Sequence, residues 1–194
     1  MIAGLILAAG ESTRMGSDKA LLVYHGRTFL ETIVGNLREA GIKDIAVVLG
    51  HHAEEIRRAV NLAGVRVVIN RSFREGQTSS LQAGLIALRD IPLEGVVLCL
   101  VDHPAVPASV ITQLCDRGKL HSSFIAIPTF RGQHGHPVVI SRALFPELLA
   151  LGREEGANVV IRKYRAATRF VEVNDPSILL DIDDRKAYLR LDHE

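Results

Sequence analysis

Along this chain, short apolar and β-branched runs alternate with segments whose apolar residues recur at helical spacing. Runs at residues 2–7, 45–49, 65–69, 96–101, 124–127, 138–140 and 170–173 predict buried strands. Between the first two, Thr28 and Glu31 form a capping box ahead of Leu30, Ile33, Val34 and Leu37, and Gly41 closes that helix. A second helix is predicted over 53–63, with Ile56, Val60 and Ala63 on one face, and a third carries Leu81, Leu85 and Leu88. Pro107 opens a fourth, and a short last helix is predicted over 185–191. This alternation predicts a three-layer α/β sandwich around a mostly parallel sheet, becoming mixed after position 120, where strands crowd together. No repeat, low-complexity tract or linker interrupts the pattern, so residues 1–194 read as one domain.

Composition narrows the class. A hydrophobic fraction of 47% and a charged fraction of 23% describe a soluble globular chain. A formal net charge of +1 gives no general attraction to nucleic acid or membrane, so any anion must be bound locally. The apolar start lacks a basic leader region and runs into Glu11 and Arg14, unlike a signal peptide. No segment approaches the length that spans a bilayer. Cys99 and Cys115 sit in apolar patterns as small hydrophobes, and a cytoplasmic protein without disulfides is the simplest reading.

The chemistry starts where the first strand ends. Leu7-Ala8-Ala9-Gly10 lets the backbone approach a ligand, and Arg14 and Lys19 add two cations within the same loop. Exposed N–H groups of a turn together with fixed cations suit a triphosphate. The spacing excludes two other phosphate loops. Gly10 and Gly16 are separated by five residues where a Walker loop has four, and Gly10 lacks the glycine two positions on of a dinucleotide fingerprint. In open sheets ligands bind beyond the carboxyl ends of the strands. That rule places the loop after Leu7, the segment after Ile69 and the loop after Val101 along one edge.

Leu7 to Lys19 as a whole, L-A-A-G-x-S-x-R-M-G-x-x-K, resembles the signature of nucleotidyltransferases of the MobA/MocA type, which attach a nucleotide to molybdopterin. The resemblance implies a Rossmann-like nucleotidyltransferase fold and a single MobA-like NTP transferase domain. It also implies CMP transfer from CTP to the terminal phosphate of molybdopterin, with release of pyrophosphate. Leu7, Ala8, Ala9, Gly10, Arg14 and Lys19 then belong to the nucleotide site, with Arg14, Lys19 and Asp102 carrying the chemistry. Asp102 lies in Leu100-Val-Asp-His-Pro104, which matches the family's L-x-D-x-P motif, and it inherits the role of ligand to Mg²⁺ or Mn²⁺. Asp181-Ile-Asp183 followed by Tyr188 matches a second family motif that supplies another metal ligand, from either aspartate. Asp184 equally suits a helix N-cap.

Gly76 to Leu85 resembles a segment that cradles the pyrimidine in relatives using CTP, with Gly76, Ser79 and Ser80 in the site. Thr78, Ser79 and Ser80 also suit a helix cap. Guanylyl relatives open with L-A-G-G and lack the double serine, so Ala9 and Ser79-Ser80 favour CTP, while Asp18 to Leu22 looks closer to the GTP-using branch. In the loop from Arg131 to Pro137, the G-H-P segment is typical of molybdopterin relatives. It makes Arg131, Gly135, His136 and Pro137 candidates for the acceptor border. The His-x-His pair there finds no third ligand at zinc spacing, and His25, His51 and His52 read as ordinary loop histidines. Arg153 and Asn158 depart from the family's acid and arginine, which bears on the acceptor.

A phosphate monoester with a second pKa of about 6 is already nucleophilic and needs no general base. Other readings are a guanylyltransferase using GTP, a transferase acting on another phosphorylated small molecule, a glycosyltransferase using Asp181-x-Asp183, and a chaperone that stores molybdopterin. A molybdoenzyme or its maturation chaperone is the partner that the resemblance implies.

Overall fold

The computed structural model describes residues 1–13, 15–118 and 124–191, without the side chains of 117 and 118. In chain order these form β1 (Ile2–Ala8), β2 (Val23–Tyr24), β3 (Arg27–Thr28), α1 (Phe29–Glu39), β4 (Ile45–Leu49), α2 (Ala53–Ala59) and β5 (Arg66–Ile69). They continue with α3 (Gln77–Ala87), β6 (Gly95–Leu100), α4 (Ala108–Gly118), β7 (Ile125–Phe130), β8 (Gln133–His134) and β9 (Val138–Ser141). Last come α5 (Phe145–Leu149), α6 (Asn158–Lys163), β10 (Thr168–Glu172) and α7 (Arg185–Leu191).

Among the described residues the main sheet runs β10-β7-β9-β6-β1-β4-β5, with β8 added beside β7. β1 pairs in parallel with β4 and β6, β4 with β5, and β7 with β10. β9 runs antiparallel between β6 and β7, so the sheet is mixed where the strands crowd in sequence. The α/β architecture expected from periodicity is the one observed.

Every residue of β1 is buried, and its alternation feeds two cores. Ile2, Ile6 and Ala8 pack with Leu30, Leu37, Ile56 and Leu114 of α1, α2 and α4. Ala3, Leu5 and Leu7 pack with Leu81, Leu85, Leu148 and Val160 of α3, α5 and α6. Helices on both faces explain why these strands are apolar on both sides. Gly84 lets α3 lie close to the sheet, since a Cβ there would collide with Leu5 and stand 3.0 Å from Val48 Cγ2.

Local signals are partly overridden. The capping box holds: Glu31 N donates to Thr28 Oγ1 at 3.2 Å, and Thr28 N donates to Glu31 Oε2 at 2.9 Å. The expected helix over 53–63 stops at Ala59, because Val60 turns extended (φ −107°, ψ 134°) and buries its side chain. Gly76, not Thr78, Ser79 or Ser80, occupies the N-cap position of α3, and no side chain caps that helix. Asp184 Oδ1 accepts from Ala187 N at 2.8 Å and so starts α7.

Gly50 follows β4 where the loop after β1 passes close to it. A Cβ at Gly50 would lie 2.7 Å from Ala9 O and 2.6 Å from Phe73 Cβ. Gly50→Ala is therefore expected to cost about 1–3 kcal/mol in urea unfolding, as overpacking does. An unchanged midpoint would show that the loop yields freely.

Candidate functional site

The carboxyl ends of β1 and β6 open onto a cleft of about 340 Å³. Its lining includes Leu7 and Ala8 at the end of β1, Ala9, Gly10 and Lys19 from the first loop, Gly76 and Ser80 from the start of α3, and Asp102 and Asp183. Segments far apart in sequence thus meet along one sheet edge. Ser12, at φ 49°, organises the loop: its carbonyl accepts from Met15 N and Gly16 N at 3.0 and 3.3 Å, and its hydroxyl accepts from Lys19 N at 3.2 Å. Gly16 supplies a left-handed turn at φ 73°. Arg14 lies outside the described residues.

Lys19 is the centre of the charge arrangement. Its side chain is 10% exposed, and Nζ donates to Asp102 Oδ2 at 3.1 Å and to Asp183 Oδ1 at 2.5 Å. Burial works against its charge, but the hydrogen bond to Asp183 and the field of Asp102 outweigh that and raise its pKa above the ordinary lysine value. Lys19 therefore stays protonated across the physiological range. Asp102, His103 and Asp181 each offer a ligand atom within 4.8 Å of the others. Among the described residues, Asp102 Oδ1 is buried without a hydrogen-bond partner, as suits a carboxylate oxygen that receives a cation. The acid-rich set fits Mg²⁺ or Mn²⁺. Burial, then the charges of Asp102 and Asp183, push the Asp181 carboxyl up to about 6.

His103 went unnoticed in the sequence, where it follows Asp102 as an ordinary loop residue. Its Nε2 stands 3.9 Å from Asp102 Oδ1, and burial lowers its pKa. His136 packs against it at 4.9 Å between ring centroids, and burial followed by the charge of His103 lowers its pKa to about 4. His136 and Pro137 line a small cavity together with His103, and the bond between them is a cis peptide. Gly135 brings that loop onto the turn at 176–179, where a Cβ would collide with the Ile178 carbonyl, and His136 N donates to Ile178 O at 2.9 Å. Ile182 N in turn donates to Asp102 O at 2.9 Å. The G-H-P segment thus braces the chain that carries Asp181 and Asp183.

Arg131 stands apart from this group. It is at the β7–β8 hairpin in left-handed backbone (φ 50°), with its guanidinium over Phe130 and its N–H on Glu172 Oε1 at 3.0 Å. Ser80 Oγ is buried and accepts from Asn70 Nδ2 at 3.0 Å. Ser79 Oγ ties the preceding turn, lying 2.8 Å from Gly76 O and 3.0 Å from Ser72 O. The departing segment at 151–158 packs beside the same helix start, through Thr78 Oγ1 on Glu155 O at 2.5 Å and Arg153 on Glu75 at 3.2 Å. His51 and His52 both approach Asp18, whose carboxylate borders the cleft.

The sequence pattern of the MobA-like NTP transferase domain matches residues 4–168. The chain belongs to the MobA-like NTP transferase family. Among the relatives of this MobA-like nucleotidyltransferase is the nicotine blue oxidoreductase of Paenarthrobacter nicotinovorans, 29% identical over 98% of this chain and 96% of that protein. The molybdenum cofactor cytidylyltransferase of Escherichia coli K12 is 26% identical, over 92% of this chain and 89% of its own. The crystal structure of Rv0371c from Mycobacterium tuberculosis H37Rv superposes with a TM-score of 0.86 at 32% identity, covering 100% of this chain and 97% of that one. A structure of Rv0371c in complex with manganese matches at 30% identity and a TM-score of 0.83, over 100% of this chain and 98% of its own. No helix among the described residues is long and apolar enough to cross a membrane.

Asp181 provides a test of the charge balance. Its folded pKa of about 6 exceeds the ordinary 3.8, so the folded state holds this proton more tightly than the unfolded chain. Ionised Asp181 is thus a destabilising charge, absent below the ordinary value and fully present above the folded one. In the metal-free MobA-like protein, Asp181→Asn is expected to raise Tm near pH 7.5 and to converge with wild type below about pH 4. Coincident melting curves at both pH values would contradict this balance.

Proposed function

We propose that the protein transfers CMP from CTP to the terminal phosphate of molybdopterin and releases pyrophosphate. The observation that carries the reading is the convergence of the Leu7–Gly10 turn, Lys19, Ser80 and Asp102 on one cleft. Membership in the MobA-like family and the likeness to the cytidylyltransferase of Escherichia coli support it. In the reaction an acceptor phosphate oxygen forms a bond to the α-phosphorus while the bond to the bridging β-phosphate oxygen breaks.

The backbone N–H groups around Gly10 bind phosphate, and Lys19 keeps its proton to offset the charge that moves onto the leaving pyrophosphate. Asp102 with Asp181 would hold Mg²⁺ or Mn²⁺, while Asp183 anchors Lys19. When bound, such an ion neutralises phosphate oxygens and aligns them. The first-turn N–H groups of α3 carry no side-chain cap, and with Ser80 and Gly76 they offer donors and small walls to a pyrimidine. On the acceptor side, Gly135, His136 and Pro137 shape the wall behind Asp102, and Arg131 supplies a cation farther out. Storage of a cofactor would need neither Lys19 nor Asp102 in a nucleotide cleft, which favours turnover over a chaperone role.

Pyrophosphate release should be measured with each NTP, with Mg²⁺ or Mn²⁺, with and without molybdopterin. CTP with molybdopterin is expected to exceed GTP by at least about tenfold in kcat/KM. Release without preference for CTP favours the guanylyl or other-acceptor readings, and none with any NTP favours the chaperone. Lys19→Ala and Asp102→Ala should each lower turnover by about 10³-fold or more, as loss of a phosphate-facing cation does. Wild-type rates from a well-folded Asp102→Ala variant would remove the proposed metal role.

A further inference from the structure

Beyond the Lys19 cluster, a second group of donor atoms, Asp18, His51 and His52, adjoins the same cleft through Asp18. Asp18 precedes Lys19 in the first loop, and its side chain is only 9% exposed. His52 Nδ1 lies 2.7 Å from Asp18 Oδ2, and His51 Nδ1 lies 3.6 Å from Asp18 Oδ1. The two imidazoles pack together, with centroids 3.7 Å apart at a tilt of 37°.

Consecutive residues in extended backbone send their side chains to opposite sides. Here both rings reach one carboxylate, because His52 adopts left-handed backbone (φ 47°, ψ 30°), uncommon outside glycine. Helix capping does not account for the group. His52 stands at the N-cap position of α2 and Asp18 at that of the 3-10 turn beginning at Lys19, yet neither side chain makes a capping hydrogen bond. Among the described residues, His51 Nδ1 is buried without a hydrogen-bond partner.

We propose that Asp18, His51 and His52 form a second metal site, selective for a transition ion such as Zn²⁺ or Co²⁺ over Mg²⁺. Two imidazoles and one carboxylate suit borderline transition ions, whereas Mg²⁺ prefers oxygen donors. Tetrahedral coordination at about 2.0–2.2 Å puts donors about 3.4 Å apart; His51 Nδ1 already stands 3.6 Å from Asp18 Oδ1, whereas His52 Nδ1, hydrogen-bonded at 2.7 Å to Oδ2, has to open by about 0.7 Å to admit an ion. Three protein ligands leave a fourth position for water or a ligand. An ion held here joins the first loop to the corner after β4. The site depends on neither the base nor the acceptor of the transferase reading.

Cobalt alone, titrated into the chelator-stripped full chain, tests the proposal. Equilibrium dialysis should give two bound Co²⁺ ions for wild type and one for Asp102→Ala. Adding His51→Gln and His52→Gln to Asp102→Ala should weaken that remaining ion by at least about tenfold, and excess Mg²⁺ should not displace it. To separate ligation from misfolding, NMR of the Asp102→Ala chain should show the His51 and His52 ring protons shifted or broadened at one equivalent of Co²⁺. Ring resonances that stay in place, or a remaining ion unaffected by both glutamine substitutions, would overturn the proposal.

Discussion

A buried lysine ammonium held between two aspartates is the interaction on which this structure depends. Lys19 comes from the first loop, Asp102 from the end of β6 and Asp183 from the segment before α7. Removing such a charge from water is unfavourable unless it is paired and hydrogen-bonded, so the three segments are bound to one another wherever Lys19 is buried. The surroundings reinforce the arrangement. Ile182 N donates to Asp102 O, and Met15, Phe29, Ile182 and Leu191 form an apolar cluster beneath the same corner. The C-terminal segment is thereby part of the cleft, although the family pattern ends at residue 168.

That triad also sets the electrostatics for a nucleotide. Lys19 is matched by Asp102 and Asp183, and Asp181 adds negative charge that raises its own pKa. An anionic triphosphate does not fit this balance unaided. Under the proposed function, cation and nucleotide arrive as coupled charges, with the ion compensating the aspartates as the phosphate compensates Lys19. The histidines around Asp102 are kept neutral by burial, so they add polar surface without disturbing the charge count.

Much of the fold was legible because it rests on local patterns. Residues 2–7 read as a buried strand from their unbroken apolar run, and Thr28 with Glu31 announced a helix whose capping box is present. The helical spacing over 53–63 overruns α2, because Val60 buries itself in extended backbone instead of continuing the helix. By type the serines after Gly76 suit either a helix cap or a nucleotide site; capping is not what they do, since Ser80 pairs with Asn70 and Ser79 with a turn carbonyl. His103, His51 and His52 carried no signal, since a histidine's role depends on which carboxylate the fold sets beside it.

By itself, the sequence determined the apolar alternation, the turns at Gly10 and Gly76, and the motif residues Lys19, Asp102, Asp181 and Asp183, because these are properties of neighbours along the chain. Only the tertiary structure decided that Lys19 would meet Asp102 and Asp183, which lie 83 and 164 positions away. It also decided that Asp183 holds the lysine while Asp181 joins the group around Asp102 and His103. Such pairings depend on the path of the chain across the sheet. At a given spacing in sequence, two carboxylates are alike until burial and a buried cation distinguish them.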